Sequence, residues 1–449
     1  MTIRRLPADF RVTERLSAES LVGLRPKPGP GRFHAVFLVD KQSLSTPEAE
    51  AALARALNLA PSMVAHAGLK DKHAQTRQHL SANLSARPLL DASPIVGERW
   101  RAELVGWSTR HLDGRDVGSN LFELVVRALD DEQAEAMERR ARRLLAPKAS
   151  ASEAASAASP LQPDAELRVV NYFGAQRFGS ARHAQGFAGP LLMRGQFEAA
   201  LRLLIATPAR KDTGTRRDTT RAADDLWGQW AELADALPPG SERRAVERLA
   251  KRASSEADFR DAFALLPRFT QQMALDAFHA LLWNDAARRL VIANVPPERL
   301  LRADDDFGEL LFPDAEASSP DGSGAWLANL EAPMLGPEDD ASPSAAPQAT
   351  SDSAASDAVT PDPRWLASWN GALGTHALAR SELRTPGLRR PALRDTPRRL
   401  VVGARAFALS SSEPDELATP RSPKRWKRSV SFELPAGAYA TNVLRALGQ

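Results

Sequence analysis

The chain contains no cysteine. That absence excludes disulfides, zinc–thiolate sites and a thiol nucleophile, and it suits a reducing compartment. No apolar run approaches the roughly 18 residues that a membrane span needs, so no membrane association is expected. The N-terminus, Met1-Thr2-Ile3-Arg4-Arg5-Leu6-Pro7, lacks an apolar signal region after its charges. The expectation is a soluble, cytoplasmic protein. His66, His73 and His79 lie close in sequence, yet no His-Glu-x-x-His or comparable ligand spacing exists, so no metal is expected. Gly-x-Ser-x-Gly is missing too, which leaves a serine hydrolase without support. Pro28-Gly29-Pro30-Gly31 lacks the Gly-x-x-x-x-Gly-Lys pattern of a phosphate loop and reads as a turn.

What is present suffices for two or three domains: 449 residues, 43% of them hydrophobic. The net charge is only +3, but it is unevenly spread. From Ala303 to Pro363 there are 14 acids and no Lys or Arg; from Arg364 onward there are 15 bases and 6 acids. A basic surface beside an acidic segment suits a polyanionic partner.

Strand patterns cover 9–15, 33–39, 79–84, 121–126 and 430–434. Thr46, followed by Pro47, reads as the cap of a helix with an apolar face at Leu53, Ala56, Leu57 and Ala60. Residues 131–145, 190–206, 222–237, 241–252 and 268–292 read as helices. The Ala/Ser run within 149–166 reads as a flexible linker. Residues 315–363 read as largely disordered, with Ala325–Leu335 as the ordered exception. A polar insert is expected at Ser411–Arg428. Strands at both ends and helices between them describe a helical domain inserted into an α/β domain.

Three segments carry candidate chemistry. Asp71 sits between two lysines in Gly68-Leu69-Lys70-Asp71-Lys72-His73; such an acid is either a solvated loop residue or a held carboxylate. Asn171-Tyr172-Phe173-Gly174-Ala175-Gln176-Arg177-Phe178-Gly179 could stack on unpaired bases, or anchor a turn through its aromatic rings. Arg421, Lys424, Arg425, Lys427 and Arg428 surround Trp426 and suit either RNA phosphates or a disordered basic tract.

Five segments, in order, resemble the tRNA pseudouridine synthase D (TruD) family. They are Leu6-Pro7-Ala8-Asp9-Phe10-Arg11-Val12, Gly68 through Thr76, Asn120-Leu121-Phe122, Asn171 through Gly179, and Leu434-Pro435-Ala436-Gly437-Ala438-Tyr439-Ala440-Thr441. The resemblance implies an α/β (α+β) fold. A pseudouridine synthase catalytic domain with a mixed or antiparallel sheet is built from both chain ends (1–148 and 396–449), and a mostly helical TruD domain is inserted at 167–395. It implies an isomerase acting on tRNA, at uridine 13 of the D-arm, with no cofactor and no obligatory protein partner. In that resemblance Asp71 matches the catalytic aspartate. Phe10, Asn120, Phe122 and Tyr439 match substrate-contacting positions, with Phe122 stacking on the base. Arg4 falls where the family carries a basic residue; apart from the resemblance, Lys70, next to Asp71 in sequence, is the other candidate supporting cation. Ser119 stands where relatives usually carry glycine, and His279-Ala280 depart from a usual polar pair.

The residue types suit the reaction. An aspartate of ordinary pKa, about 3.9, is ionised at neutral pH, and a nearby cation keeps it so against desolvation. Its carboxylate can attack C1′ or C6 of the nucleotide, or assist glycal formation. The extruded base needs a stacking ring, and Asn120 offers a donor and an acceptor to a uracil edge. Two other classes of reading fit the charge pattern: a pseudouridine synthase acting mainly on another RNA, and a non-catalytic RNA-binding protein.

Overall fold

A computed structural model of the chain describes residues 3, 5–31, 33–85, 93–145, 166–179, 185–209, 212, 214–318, 324–338, 361–418 and 424–449. The expected linker therefore lies almost wholly outside the described residues, as do 319–323 and 339–360 of the expected disordered stretch. The chain divides into two compact units. One comprises Met1–Val169, Phe312–Gly322 and Val402–Gln449; the other comprises Val170–Leu311 and Ser323–Val401.

In chain order the strands are β1 (Phe10–Leu16), β2 (His34–Gln42), β3 (Val64–His66), β4 (Gln75–Asn83), β5 (Ile95–Val96), β6 (Trp100–Ser108), β7 (Val117–Leu129), β8 (Leu167–Val170), β9 (Leu300–Asp305), β10 (Gly308–Pro313), β11 (Val401–Leu409), β12 (Glu413–Pro414) and β13 (Trp426–Pro435). Apart from the β9–β10 pair, they form one sheet in the order β5-β6-β2-β4-β1-β7-β13-β11-β8, with β3 beside β4 and β12 beside β13. β1 runs parallel to β4 and antiparallel to β7, so the sheet is mixed. β13 lies antiparallel along β7, which closes the two chain ends into one sheet. The fold is the α+β class expected, with its sheet drawn from both ends of the chain.

Alternation decides the faces. In β1, Phe10, Val12, Glu14 and Leu16 are buried while Arg11 and Arg15 are exposed. Helix α1 (Ala18–Gly23) follows β1. On the face of β2 and β4 that carries Phe37, Val39, Leu80 and Ala82 lies helix α2 (Thr46–Ala56), through Ala49, Leu53 and Ala54. Ser45, not Thr46, caps α2: its hydroxyl accepts from Glu48 N, and Glu48 accepts from Ser45 N in return. The one-residue shift releases the Thr46 hydroxyl for the loop described below.

Helix α3 (Asp131–Leu144), capped by Asp130, packs on β7 and β13. Here Trp426, Lys427 and Arg428 of the basic segment are tied into the fold. Arg428 is buried, its Nη1 donating to Ala134 O at 3.0 Å and its Nη2 to Glu138 Oε2 at 2.8 Å. Lys427 pairs with Glu416 at 2.9 Å, and Trp426 Nε1 donates to Asp131 Oδ1. The expected polar insert at 411–428 therefore contains sheet at both ends; Arg421 lies outside the described residues.

The second unit is mainly helical. The expected helix at 190–206 is two, Ala188–Met193 and Phe197–Ile205, broken where Gly195 takes φ +71°. Residues 222–237 likewise divide between Gly214–Asp225 and Trp230–Ala236. The long helix Arg268–Asn294 forms as one piece and buries Phe278, His279, Trp283 and Asn284. The aromatic segment is core here, not a base platform. Tyr172 is fully buried with its hydroxyl donating to Leu311 O, Asn284 hydrogen-bonds both backbone groups of Phe173, and the Arg398 guanidinium lies 3.9 Å from the Phe173 ring centroid. His279 is equally internal, its Nε2 3.0 Å from Leu335 O. Leu327, Leu330 and Leu335 are buried, so Ala325–Leu335 is indeed packed.

Candidate active site

Residues 67–74 join β3 to β4 at a gap in the sheet. β4 pairs with β1 at Gln75–Arg77 and with β3 at Leu80–Ala82, leaving Gln78 and His79 without a ladder partner on that side. Glu14 of β1 fills the gap. Its Oε1 accepts from His79 N at 2.8 Å, and its Oε2 accepts from Lys70 Nζ at 2.6 Å. His79 Nδ1 lies 3.1 Å from Oε1. The side chain of Glu14 is 0% exposed and that of Lys70 8%.

Further contacts hold the loop and its surroundings. Lys70 N donates to Thr46 Oγ1 at 2.9 Å, and the same hydroxyl donates to Gln78 Oε1 at 3.1 Å. Asp71 Oδ1 accepts from His73 N at 2.9 Å, an Asx-type turn that fixes the carboxylate. Lys41, buried on β2, donates to Leu44 O at 2.6 Å and stands 3.5 Å from Asp71 O. Asp71 is thus half-buried on an anchored loop, between exposed Lys72 and Lys70, whose side chain is turned inward.

The base-contact candidates lie on neighbouring strands of the same face. Phe122 on β7 is the register partner of Val12 on β1 and of Phe432 on β13. Its ring centroid is 6.4 Å from Phe10, edge-on, and 5.6 Å from Phe432. Asn120, two residues along, faces Glu14 on β1 and Leu434 on β13. Its Oδ1 is buried with no hydrogen-bond partner. Tyr439, half-buried, stands at the start of the C-terminal helix Ala440–Ala446, just beyond the end of β13. Ser119, in place of glycine, donates to Glu433 Oε1 on the opposite face.

Two buried charges set the local field. Burial pushes the Glu14 carboxyl up, but the hydrogen bond from His79 and the Lys70 ammonium outweigh it and hold it below its ordinary value. Burial pulls Lys41 down to about 8; the Asp71 carboxylate opposes that fall, while Lys70 adds to it.

The structure therefore brings Phe10, Asn120 and Phe122 to neighbouring positions of one sheet face, and Lys70, the residue before Asp71, is tied to that face through Glu14, the register partner of Asn120. Arg4 lies outside the described residues. The Lys70 ammonium is spent on Glu14, and the cation next to the Asp71 backbone is Lys41. Neither Glu14 nor Lys41 was singled out in the sequence. The only signal for Glu14 was its place in the alternation Phe10-Val12-Glu14-Leu16. A cleft of about 670 Å³ lined by Arg11, Thr13, Arg77, Arg99 and Glu123 includes none of the expected site residues. Among the described residues no group of three or more His, Asp or Glu could hold a metal ion, and no helix is long and apolar enough to cross a membrane.

The family model of tRNA pseudouridine synthase D (TruD) matches residues 1–305. The chain belongs to this family. Curated TruD relatives include the tRNA pseudouridine synthase D of Aquifex aeolicus, 26% identical over 56% of this chain and 58% of the relative. That of Leptospira interrogans is 22% identical over 65% of this chain and 64% of the relative. The matched stretch thus spans under two thirds of the length of each. Among solved structures, a Methanosarcina mazei chain assigned to tRNA pseudouridine synthase D aligns over 99% of this chain and 92% of its own length. The TM-score is 0.64 at 20% identity, so the TruD fold is shared.

Proposed function

We infer that the protein isomerises a uridine of tRNA to pseudouridine, at position 13 of the D-arm, with Asp71 as the nucleophile. The observation that carries this reading is the anchored loop. It holds one carboxylate, tied at 2.9 Å to His73 N, and Lys70 fastens it to Glu14 of β1, whose partner strand β7 bears a stacking ring, Phe122, and an unpartnered amide oxygen, Asn120 Oδ1. Membership of the TruD family supports the reaction class and the substrate class.

The isomerisation breaks N1–C1′ and forms C5–C1′; a proton leaves C5 and N1 gains one. Atoms and electrons balance, so no co-reactant is required. The Asp71 carboxylate serves as covalent partner at C1′ or C6, or as the base that assists a glycal. Each route needs it ionised and reachable. Extruding the base costs a few kcal/mol, and stacking on Phe122 returns about 1–3 kcal/mol. Asn120 Oδ1 accepts from the uracil N3–H, which gives it the partner it lacks in the free protein.

The test uses tRNA labelled with tritium at uridine C5. Asp71→Asn is expected to abolish tritium release while retaining tRNA binding; wild-type release would remove the assignment of Asp71. Mapping the product to a position other than 13 would overturn the D-arm assignment alone.

A further inference from the structure

We propose that Glu14 is a positioning residue for the nucleophile loop, acting through Lys70. The proposal rests on the functional reading above.

Three strands converge on this side chain. Glu14 lies on β1 where β4 loses its pairing with β1 and gains β3. It satisfies His79 N, which the sheet leaves without a ladder partner, and holds the Lys70 ammonium at 2.6 Å. Across the other edge of β1 it is the register partner of Asn120. One buried carboxylate therefore fixes the residue before Asp71 and adjoins the residue assigned to the uracil edge. The packing around Gly68 reinforces the arrangement: a Cβ there would stand 3.0 Å from Lys70 Nζ and 3.6 Å from Glu14 Oε2.

A buried ion pair is a weak source of stability, because desolvating two charges offsets most of their attraction. A Glu–Lys pair this deep is better explained by what it orients. It also governs charge. The groups facing Lys41 are Asp71 and Lys70 on the loop and Glu48 on α2. Those facing Glu14 are Lys70 and His79. With Glu14 ionised, Lys70 is neutralised locally and presses less on Lys41. Without it, two ammonium groups share the underside of the Asp71 loop.

The experiment compares the full-length wild type with Glu14→Gln, Lys70→Met and the double variant. Single-turnover tritium release is measured from pH 6 to 9, together with tRNA binding and hydrogen exchange of residues 68–76. Glu14→Gln is expected to lower the single-turnover rate about 10²-fold, the scale of a small misplacement at a reacting centre. It should bind tRNA within about 3-fold of wild type, move the alkaline limb to lower pH and lose protection at Lys70–His73. Lys70→Met should lose a similar factor, and adding Glu14→Gln to it should cost less than about 2-fold more, because the two act as a unit. The double variant carries neither charge, so it remains informative if the buried lone ammonium of Glu14→Gln prevents folding.

A wild-type rate and pH limb in Glu14→Gln, or additive losses in the double variant, would overturn the positioning role. Wild-type protein that releases no tritium would instead overturn the functional reading. Loop protection in Glu14→Gln would then still decide the positioning role: lost protection supports it, and unchanged protection removes it.

Discussion

Phe122 and Phe432 come from opposite ends of the chain and face each other as register partners on β7 and β13, with ring centroids 5.6 Å apart. Phe432 is fully buried and Phe122 is 9% exposed, so the inner ring supports the outer one. This pair ties the C-terminal strand to the residue assigned to stack on the base.

Phe432→Ala is expected to destabilise the protein by about 3–5 kcal/mol, the usual cost of removing a buried ring. Urea denaturation measures it. Because Phe122 loses its support, kcat should fall at temperatures where the variant is still folded. A variant of unchanged stability would show that the pair is not packed as described.

Asn120→Ala should separate stability from function. An unpartnered buried carbonyl oxygen costs about 1–3 kcal/mol in the free protein, so removing it should leave stability within about 1 kcal/mol of wild type. A site built to hydrogen-bond a substrate discriminates strongly once that bond is lost. The value of kcat/KM on tRNA should drop about 10²-fold. A loss of stability with unchanged kcat/KM would contradict the assignment.

Lys41 gives a pH signature. Its pKa is about 8 in the folded protein against about 10.4 when unfolded. Above pH 8 the ammonium beside the Asp71 backbone is lost, and the rate should fall along an alkaline limb centred near 8. Stability moves the other way. Between pH 8 and 10 the unfolded chain binds the extra proton, so this group's contribution to stability rises with pH. Lys41→Met should lower the rate and abolish both dependences. A limb that persists unchanged in the variant would assign it to another group.

Arg127 is a buried hub that holds Asp9, the residue before Phe10. Its Nε donates to Asp9 Oδ1 at 2.9 Å and its Nη1 to Asp415 Oδ1 at 2.9 Å, with all three side chains nearly inaccessible. Arg127→Met would strand two carboxylates in the interior and should cost about 3–5 kcal/mol near neutral pH. Burial pushes the Asp415 carboxyl up, but backbone hydrogen bonds and Arg127 prevail and hold it below its ordinary value. The stability this gives wild type is present above the ordinary carboxyl range and is lost as pH falls through the lowered value. Urea midpoints of the two proteins should therefore converge at acid pH. A constant difference from pH 3 to 7 would exclude this account.

Much of the fold was legible because alternation and capping are local. The run expected at Phe33–Val39 falls in β2 from His34 onward, the alternation at 430–434 lies in β13, and the 131–145 pattern is α3 up to Leu144. In β4 the strand pattern is legible only from His79 onward. Its first half, Gln75-Thr76-Arg77-Gln78, is polar, and it is held by pairing with β1 and by Thr46, neither of which leaves an apolar pattern. β11, at Val401–Leu409, has no regular apolar alternation, and it is identified as a strand by its pairing with β13. The aromatic segment at 171–179 left two readings open, because rings that stack on bases and rings that fill a core have the same composition. Only the contacts of Asn284 and Arg398 separate them.

The sequence by itself determined the chemistry on offer: no thiol, no metal-ligand spacing, one carboxylate in a Gly-opened lysine loop, and rings and an amide in fixed order along the chain. These are properties of residue type and local spacing. Tertiary structure decided which charges serve that carboxylate. Lys70, its immediate neighbour in sequence, turns to Glu14, while Lys41, far away along the chain, comes within 3.5 Å of the Asp71 carbonyl. The direction of a side chain depends on which strand lies beside it, and at the Asp71 loop that is settled where β1 gives way to β3 along β4.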